Sequence, residues 1–285
     1  MPLSLENVSY SYISPGTNDI KALDKINLTV NEGDFIGIMG HTGSGKTTLI
    51  HILSGLIEPQ NGTVYYDGND INSKTFDKTI LRESIGIVFQ FPEHMLFEIS
   101  VEKELTFGLK HSGLAPNVIK NRIEQALIKT GLPPDKFLHQ NPFTLSGGEK
   151  RRIAISSVLV KNPKYLILDE PFSGMDPKGC QLIIQTLRNL NTEGITIIVI
   201  SHNIDALCEC ARRILVMNKG TLIMDGTSNE ILSQTEKLKT LKLDSPDIIK
   251  IRDAFDFPVK INNDDPMSYN SLLCAIKTRL KAGVS

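Results

Sequence analysis

The chain has 285 residues, is 40% hydrophobic and 22% charged, and carries a formal net charge of −1. That length suits one large α/β domain with a small appendage, and the composition excludes a disordered or fibrous chain. The near-zero charge gives no electrostatic case for nucleic acid: the basic residues are scattered, and EKRR at 149–152 is too short for a basic arm.

The N-terminus, MPLSLENVSYSY, alternates apolar and polar residues as a strand does, and it lacks the basic flank and apolar core of a signal peptide. Residues 3–12 and 26–30 read as antiparallel strands. DFIGIMG (34–40) is a short apolar strand running into a glycine-rich turn, and KTTLIHILSGL (46–56) follows as a helix. GTVYYDG (62–68) and IGIVFQ (85–90) are further strands. Ile119, Ile123, Ala126 and Leu127 recur at helical spacing within 116–130, and Gly131 is the expected stop. YLILDE (165–170) and ITIIVISH (195–202) are apolar runs separated by a helical pattern, as parallel strands of an α/β sheet are. RILVMNKGTLIMDG (213–226) reads as a hairpin turning at Lys219-Gly220.

Beyond Gly226 the composition becomes polar and helix-prone. Ser245-Pro246 has the pattern of an N-cap followed by the first helical residue, and Tyr269, Leu272, Leu273, Ile276 and Leu280 follow one helical face. No run reaches the ~18 apolar residues that would span a bilayer. Of the four cysteines only Cys208 and Cys210 are close in sequence, so free thiols in a reducing cytosol are expected in place of a metal site.

GHTGSGKT (40–47) fits G-x-x-x-x-G-K-[ST] between a predicted strand and a predicted helix, the context that the motif requires. Gly40, Gly43 and Gly45 permit backbone angles at which consecutive N–H groups converge on phosphate oxygens, and the helix beginning near Lys46 adds its positive end. Lys46 is expected to reach the β- and γ-phosphates and Thr47 to ligate Mg²⁺. Asp169 emerges at the end of a buried strand, where α/β ligands bind, and suits the Mg²⁺ shell; Glu170 can polarise a water as general base. Together these motifs point to hydrolysis of a nucleoside triphosphate.

LSGGE at 145–149 narrows the class. With the P-loop, Gln90 after a strand, Asp169-Glu170 followed by the Asp176 loop, and His202, it makes five matches in order, and on these the chain resembles ABC-type ATPase subunits along almost its whole length. The resemblance implies an α/β P-loop NTPase of the ABC ATPase fold. That fold has a RecA-like mixed sheet core, an antiparallel β subdomain and a helical subdomain, here with a small C-terminal helical domain. The expected boundaries are 1–226 for the ATPase domain, with its helical subdomain at about 91–160, and 227–285 for the appendage. ATP and Mg²⁺ are the implied cofactors, with His41, Thr42, Ser44 and Thr48 completing the nucleotide-binding stretch.

By the same resemblance, Ser146, Gly147 and Gly148 reach across a head-to-tail dimer to the partner's ATP, although Ser146 also suits the plain cap of a helix. His202 corresponds to the switch histidine, Gln90 to a sensor of the γ-phosphate and Mg²⁺, and Tyr12 to the aromatic residue that stacks on adenine, a place that Tyr10 or a core role for Tyr12 could equally explain.

GHTGSGKTT and FQFPEHMLFE resemble ATPases of energy-coupling-factor transporters, the cobalt- and vitamin-uptake type. YSYISPGT and SGMDPKG look like the second ATPase of the heterodimeric modules. The chain departs from that pattern at Met95, where glutamine is common, and at Cys180, where a basic residue is usual. The partners so implied are a second, similar ATPase, a transmembrane coupling subunit docking near Phe91–Glu98, and a membrane-embedded substrate-binding subunit. Location would be peripheral, at the cytoplasmic face of the membrane. In that setting Phe91, Met95, Leu96 and Phe97 are apolar contacts and Glu93 and Glu98 are open to basic residues of the partner, whereas core packing is the plainer account of the aromatics. The tail helix at 269–280 suits packing on its own domain or contact between ATPases. An ATPase of another ABC importer, or a soluble ABC ATPase outside transport, is the alternative.

Overall fold

The computed structural model describes residues 2–13, 19–253 and Lys277; the helical face of Tyr269, Leu272, Leu273, Ile276 and Leu280 lies outside them. Strands β1 (Leu3–Tyr12) and β2 (Ile20–Val30) pair antiparallel. After them, β3 (Phe35–Gly40) leads into α1 (Lys46–Leu53). That helix is shorter than expected, because the left-handed Gly55 (φ +70°) ends it. β4 (Asn61–Tyr66) and β5 (Asn69–Asp70) return to the first sheet, whose order is β2-β1-β4-β5.

Helix α2 (Lys78–Ser84) delivers the chain to β6 (Ile85–Val88), and a 3₁₀ turn follows at Pro92–Met95. Four helices come next: α3 (Val101–Phe107), α4 (Pro116–Lys129), α5 (Pro134–Phe137) and α6 (Gly147–Leu159). On α4, Ile123, Ala126 and Leu127 are buried as their spacing predicts, and Gly131 (φ +71°) follows the cap. The chain then alternates through β7 (Tyr165–Asp169), α7 (Pro177–Thr192), β8 (Thr196–Ile200), α8 (Ile204–Cys210), β9 (Arg213–Asn218) and β10 (Thr221–Thr227).

The second sheet has the order β10-β9-β3-β8-β7-β6 and is parallel except for β10. Its inner strands β3, β7 and β8 are almost wholly apolar and buried because both faces are covered. Successive side chains alternate between two cores. Phe35, Met39, Leu166, Leu168, Ile197, Val199, Ile214 and Val216 meet the helices α3, α4 and α6–α8. Ile36, Ile38, Tyr165, Ile167, Ile198, Ile200, Leu215 and Met217 face α1 and the antiparallel sheet. Cys208 and Cys210 are buried thiols in the first of these cores.

The appendage begins with α9 (Ser228–Leu232), α10 (Thr235–Thr240) and α11 (Asp247–Asp253). Ile231, Leu232, Leu238, Ile248 and Ile249 join the same helix-side core, so this part packs on its own domain. Ser245 does not cap α11 as expected. Its hydroxyl is buried without a hydrogen-bond partner, and the Asp247 N–H at the helix start bonds Asp205 Oδ1 of α8 instead.

The β9–β10 turn has Lys219 at φ +47° and Gly220 at φ +81°, a left-handed pair of the kind that matches strand twist. A Cβ on Gly220 would lie 2.9 Å from the Ala22 carbonyl oxygen. Gly220→Ala should therefore cost about 1–2 kcal/mol through strained backbone and lower the melting temperature by several degrees, as thermal unfolding would record. An unchanged transition would contradict this account of the turn.

Candidate functional site

Four consecutive strands of the parallel sheet end at one edge, and their register decides what meets there. Ile38 pairs with Ile200, Asp169 with Ile200, and Leu168 with Val88. Gly40, His202, Glu170 and Gln90 each lie two residues past one of these paired positions, so β3, β8, β7 and β6 lead the chain to them along this edge.

The loop from Gly40 to Gly45 has three left-handed glycines, at φ +152°, +78° and +102°. Two are needed for close approach as well. A Cβ on Gly40 would stand 2.3 Å from the Met217 carbonyl oxygen, and one on Gly45 would stand 2.4 Å from that of Ala22. Gly43 has open space beside it. Gly220 N–H donates to the Ser44 carbonyl at 3.0 Å, so the β9–β10 turn braces the loop. The buried Lys46 Nζ donates to the carbonyls of Gly40 (2.7 Å) and His41 (2.9 Å), which folds it over the loop. His41 Nε2 also contacts the Leu241 carbonyl and links the loop to the appendage. Thr42 is exposed.

Thr47 Oγ1 donates to Asp169 Oδ2 at 3.3 Å, which joins the start of α1 to the end of β7. Desolvation depresses the Lys46 pKa against the pull of Glu170 and Asp169, and desolvation likewise raises that of Asp169 against its bond to Thr47 and the charge of Lys46. Both ionised forms thus stand in an environment that disfavours them. Glu170 is buried at φ +52°, left-handed for a residue with a side chain. Its Oε2 accepts from the Ser201 hydroxyl and the His202 N–H, both at 3.2 Å. Oε1 is buried with no hydrogen-bond partner and lies 3.6 Å from His202 Nε2, whose side chain is 54% exposed. The hydroxyl of Ser44 is likewise buried and unpartnered.

The remaining expected residues sit further out. Gln90 is exposed beyond β6. Tyr12, edge-on to Tyr10, reaches Thr48 Oγ1 at 3.2 Å and so stands beside α1. Ser146 caps α6 in a reciprocal capping box with Glu149. Ser146 and Gly147 are exposed, Gly148 is half-buried, and their helix packs on α3, α4, β6 and the 3₁₀ turn. Asp176 caps α7 by accepting from Gly179 N–H at 2.7 Å. The structure therefore gathers the P-loop, Asp169, Glu170 and His202, and leaves the LSGGE segment facing outward.

The stretch Phe91–Glu98 corrects two expectations. Leu96 is buried in the helix-side core and offers no surface, whereas Phe91, Met95 and Phe97 are exposed. Glu93 is not open to a partner, because Arg151 holds it through two hydrogen bonds of 2.8 and 3.2 Å. Burial raises the Glu93 pKa, and the bonds and charge of Arg151 with its own backbone outweigh that and leave it below the ordinary glutamate range. The basic run at 149–152 thus contributes a buried guanidinium, a role that the run itself does not signal. Met95 and Phe97 line a groove of about 860 Å³ with Phe107, Leu109, Leu114 and Val158.

The family model for the ABC transporter matches residues 23–173. The energy-coupling factor transporter ATP-binding protein EcfA2 of Clostridium tetani is 39% identical over 249 residues, 87% of this chain and 86% of that protein. The protein of the same description in Caldanaerobacter subterraneus is 40% identical over 252 residues, 88% of each. Among solved structures, cbiO1 of Clostridium perfringens, described as part of the ABC transporter complex cbiONQ, superposes with a TM-score of 0.75 at 35% identity, covering 88% of this chain and 98% of that one. The ATP-binding cassette MJ0796, seen as a post-hydrolysis dimer bound to ADP and Pi, gives 0.69 at 31% identity, covering 79% and 98%.

The charge balance at the sheet edge has a measurable consequence. A carboxylate whose folded pKa is raised contributes stability below its unfolded pKa and loses it as pH rises through the folded value. At neutral pH the Asp169 charge therefore opposes folding. Asp169→Asn should raise the melting temperature of the nucleotide-free protein at pH 7, with the gain shrinking as pH falls toward 4. A lower melting temperature at pH 7 would contradict the desolvation argument.

Proposed function

The chain belongs to the ABC transporter family of ATPases, and on that premise we propose that it is the ATP-hydrolysing subunit of an energy-coupling-factor importer that powers uptake of a vitamin or a cobalt or nickel ion. One observation carries the hydrolytic part: Glu170 is held by one carboxylate oxygen, from Ser201 and His202, while the other faces His202 without a hydrogen-bond partner. A carboxylate fixed at one oxygen and open at the other is built to take a proton from an attacking water. His202, 3.6 Å from the open oxygen, would orient that water against the γ-phosphate.

The loop from Gly40 to Thr48 binds the phosphates through its N–H groups and Lys46, with Tyr12 beside the base. The orphaned Ser44 hydroxyl and the open flank of Gly43 agree with a phosphate cradle. Mg²⁺ fits the donor set. Such an ion keeps several waters and takes few protein oxygens beside the phosphates; Thr47 and Asp169, which meet at 3.3 Å, would hold it, with Gln90 as a further donor. When bound it would neutralise charge on the β- and γ-oxygens.

Ser146, Gly147, Gly148 and Asp176 complete the site of a partner ATPase in a head-to-tail dimer, a role open to them only in the assembly. The exposure of Ser146 and Gly147 at the N-terminus of α6 supports this for the LSGGE segment, since such termini attract phosphate. The partner is a similar chain, and ATP between the two closes the dimer. No described helix is long and apolar enough to cross a membrane. In the proposed importer a transmembrane coupling subunit supplies the path, together with a membrane-embedded substrate-binding subunit, and this chain works peripherally at the cytoplasmic face. The exposed Phe91, and Met95 and Phe97 on a groove of mixed polar and apolar lining, support docking of a helix from the coupling subunit there.

Glu170→Gln should lower steady-state hydrolysis by about 10²–10³-fold while ATP binding persists; turnover near wild type would refute the base assignment. Met95→Ser with Phe97→Ser should abolish recovery of membrane subunits from detergent extracts and leave ATP affinity intact. Recovery of the full complex in that double variant would remove the docking assignment.

A further inference from the structure

Arg151 is 4% exposed and fills its guanidinium from two separate segments of chain. Nη2 and Nε donate to the two oxygens of Glu93 at 2.8 and 3.2 Å, the fork geometry that a lysine cannot reproduce. Nη1 donates to the carbonyls of Pro171 (3.1 Å) and Ser173 (2.6 Å). Glu93 lies three residues after Gln90, in the turn that exposes Phe91 and Met95. Pro171 and Ser173 lie one and three residues after Glu170, and Ser173 N–H closes that turn on the Glu170 carbonyl at 3.2 Å.

Both segments are held in unfavourable backbone. Phe91 at φ +55° and Glu170 at φ +52° are left-handed residues with large side chains. Such conformations persist only where the surroundings over-determine them. Arg151 is the one described side chain bonded to both segments, and it sits on α6, the helix that Ser146 opens. A shift of the turn at Glu93 must therefore either drag the guanidinium or break a buried ion pair.

We propose that Arg151 is a positioning residue for hydrolysis: through Glu93 it ties the turn that fixes Glu170 to the position of the loop after Gln90. The inference rests on the reading of Glu170 as the hydrolytic base. An ordinary structural ion pair is the competing account, and it predicts a change in stability with unaltered turnover in whatever protein folds.

The test measures kcat and KM for ATP in the full complex recovered from detergent extracts, for Glu93→Gln, Arg151→Lys and the double variant. Expected is a fall in kcat of about 10²-fold for each single variant, as a displacement near 1 Å produces, with KM and nucleotide affinity within about twofold of wild type. The double variant should be no slower than the slower single one, because the pair acts as one unit. Wild-type kcat in a folded single variant, multiplicative losses in the double one, or a loss confined to ATP affinity would each overturn the proposal. If Arg151→Lys does not fold, the isosteric Glu93→Gln decides by the same kcat criterion. Glu170→Gln is measured alongside: normal turnover there would refute the base assignment, whatever the Arg151 variants do.

Discussion

Three ionisable groups, Lys46, Asp169 and Glu170, are buried at one sheet edge, and the rest of the molecule is arranged around holding them there. Desolvation works against the charged forms of the first two. Each is kept in place by neighbours that cannot easily move. Lys46 is bonded to backbone carbonyls of its own loop, Asp169 to Thr47, and Glu170 to Ser201 and the His202 N–H. Charges placed in this way are poorly solvated without a ligand and well placed for one that is itself polar and charged, which is the usual condition of sites that stabilise developing charge.

That arrangement needs a rigid frame, and the frame is the strand register. The parallel ladder fixes β3, β8, β7 and β6 relative to one another, so residues distant in sequence arrive at the same edge. Apolar side chains on both faces lock the register, since a slip of one residue would exchange the two cores. Further braces come from outside the sheet. The β9–β10 turn bonds Ser44, and Leu241 of the appendage meets His41, so elements far along the chain hold the P-loop.

Much of this was legible in the sequence because it is local. The apolar runs at 35–40, 165–169 and 196–200, the glycine spacing of 40–45 and the turn at Lys219-Gly220 each declare themselves within a few residues. What was not legible depends on contacts across the fold. Nothing near Glu93 indicates that it meets Arg151, 58 positions on. A basic run gives no sign that its third member is buried. Ser245 has the composition of a cap, and the true acceptor for that helix start is Asp205, 42 positions earlier. In both cases tertiary geometry assigned the hydrogen bond that local pattern could only suggest.

The segment from Phe91 to Glu98 shows the same principle in a loop. Its polar bonding turns inward: Glu93 binds Arg151, and the buried Glu104 accepts the N–H groups of Phe97 and Glu98 at 3.0 and 2.8 Å. Pro92 and Leu96 are buried as well, which leaves Phe91, Met95 and Phe97 pointing out, the last edge-on to Phe107. An ordinary surface turn has the opposite polarity, with acids in water and aromatics beneath. Here a guanidinium draws Glu93 inward while Phe91 and Phe97 stay outside. The loop is inverted by its hydrogen bonds, and an apolar surface held outward in this way has the polarity of one that another molecule covers.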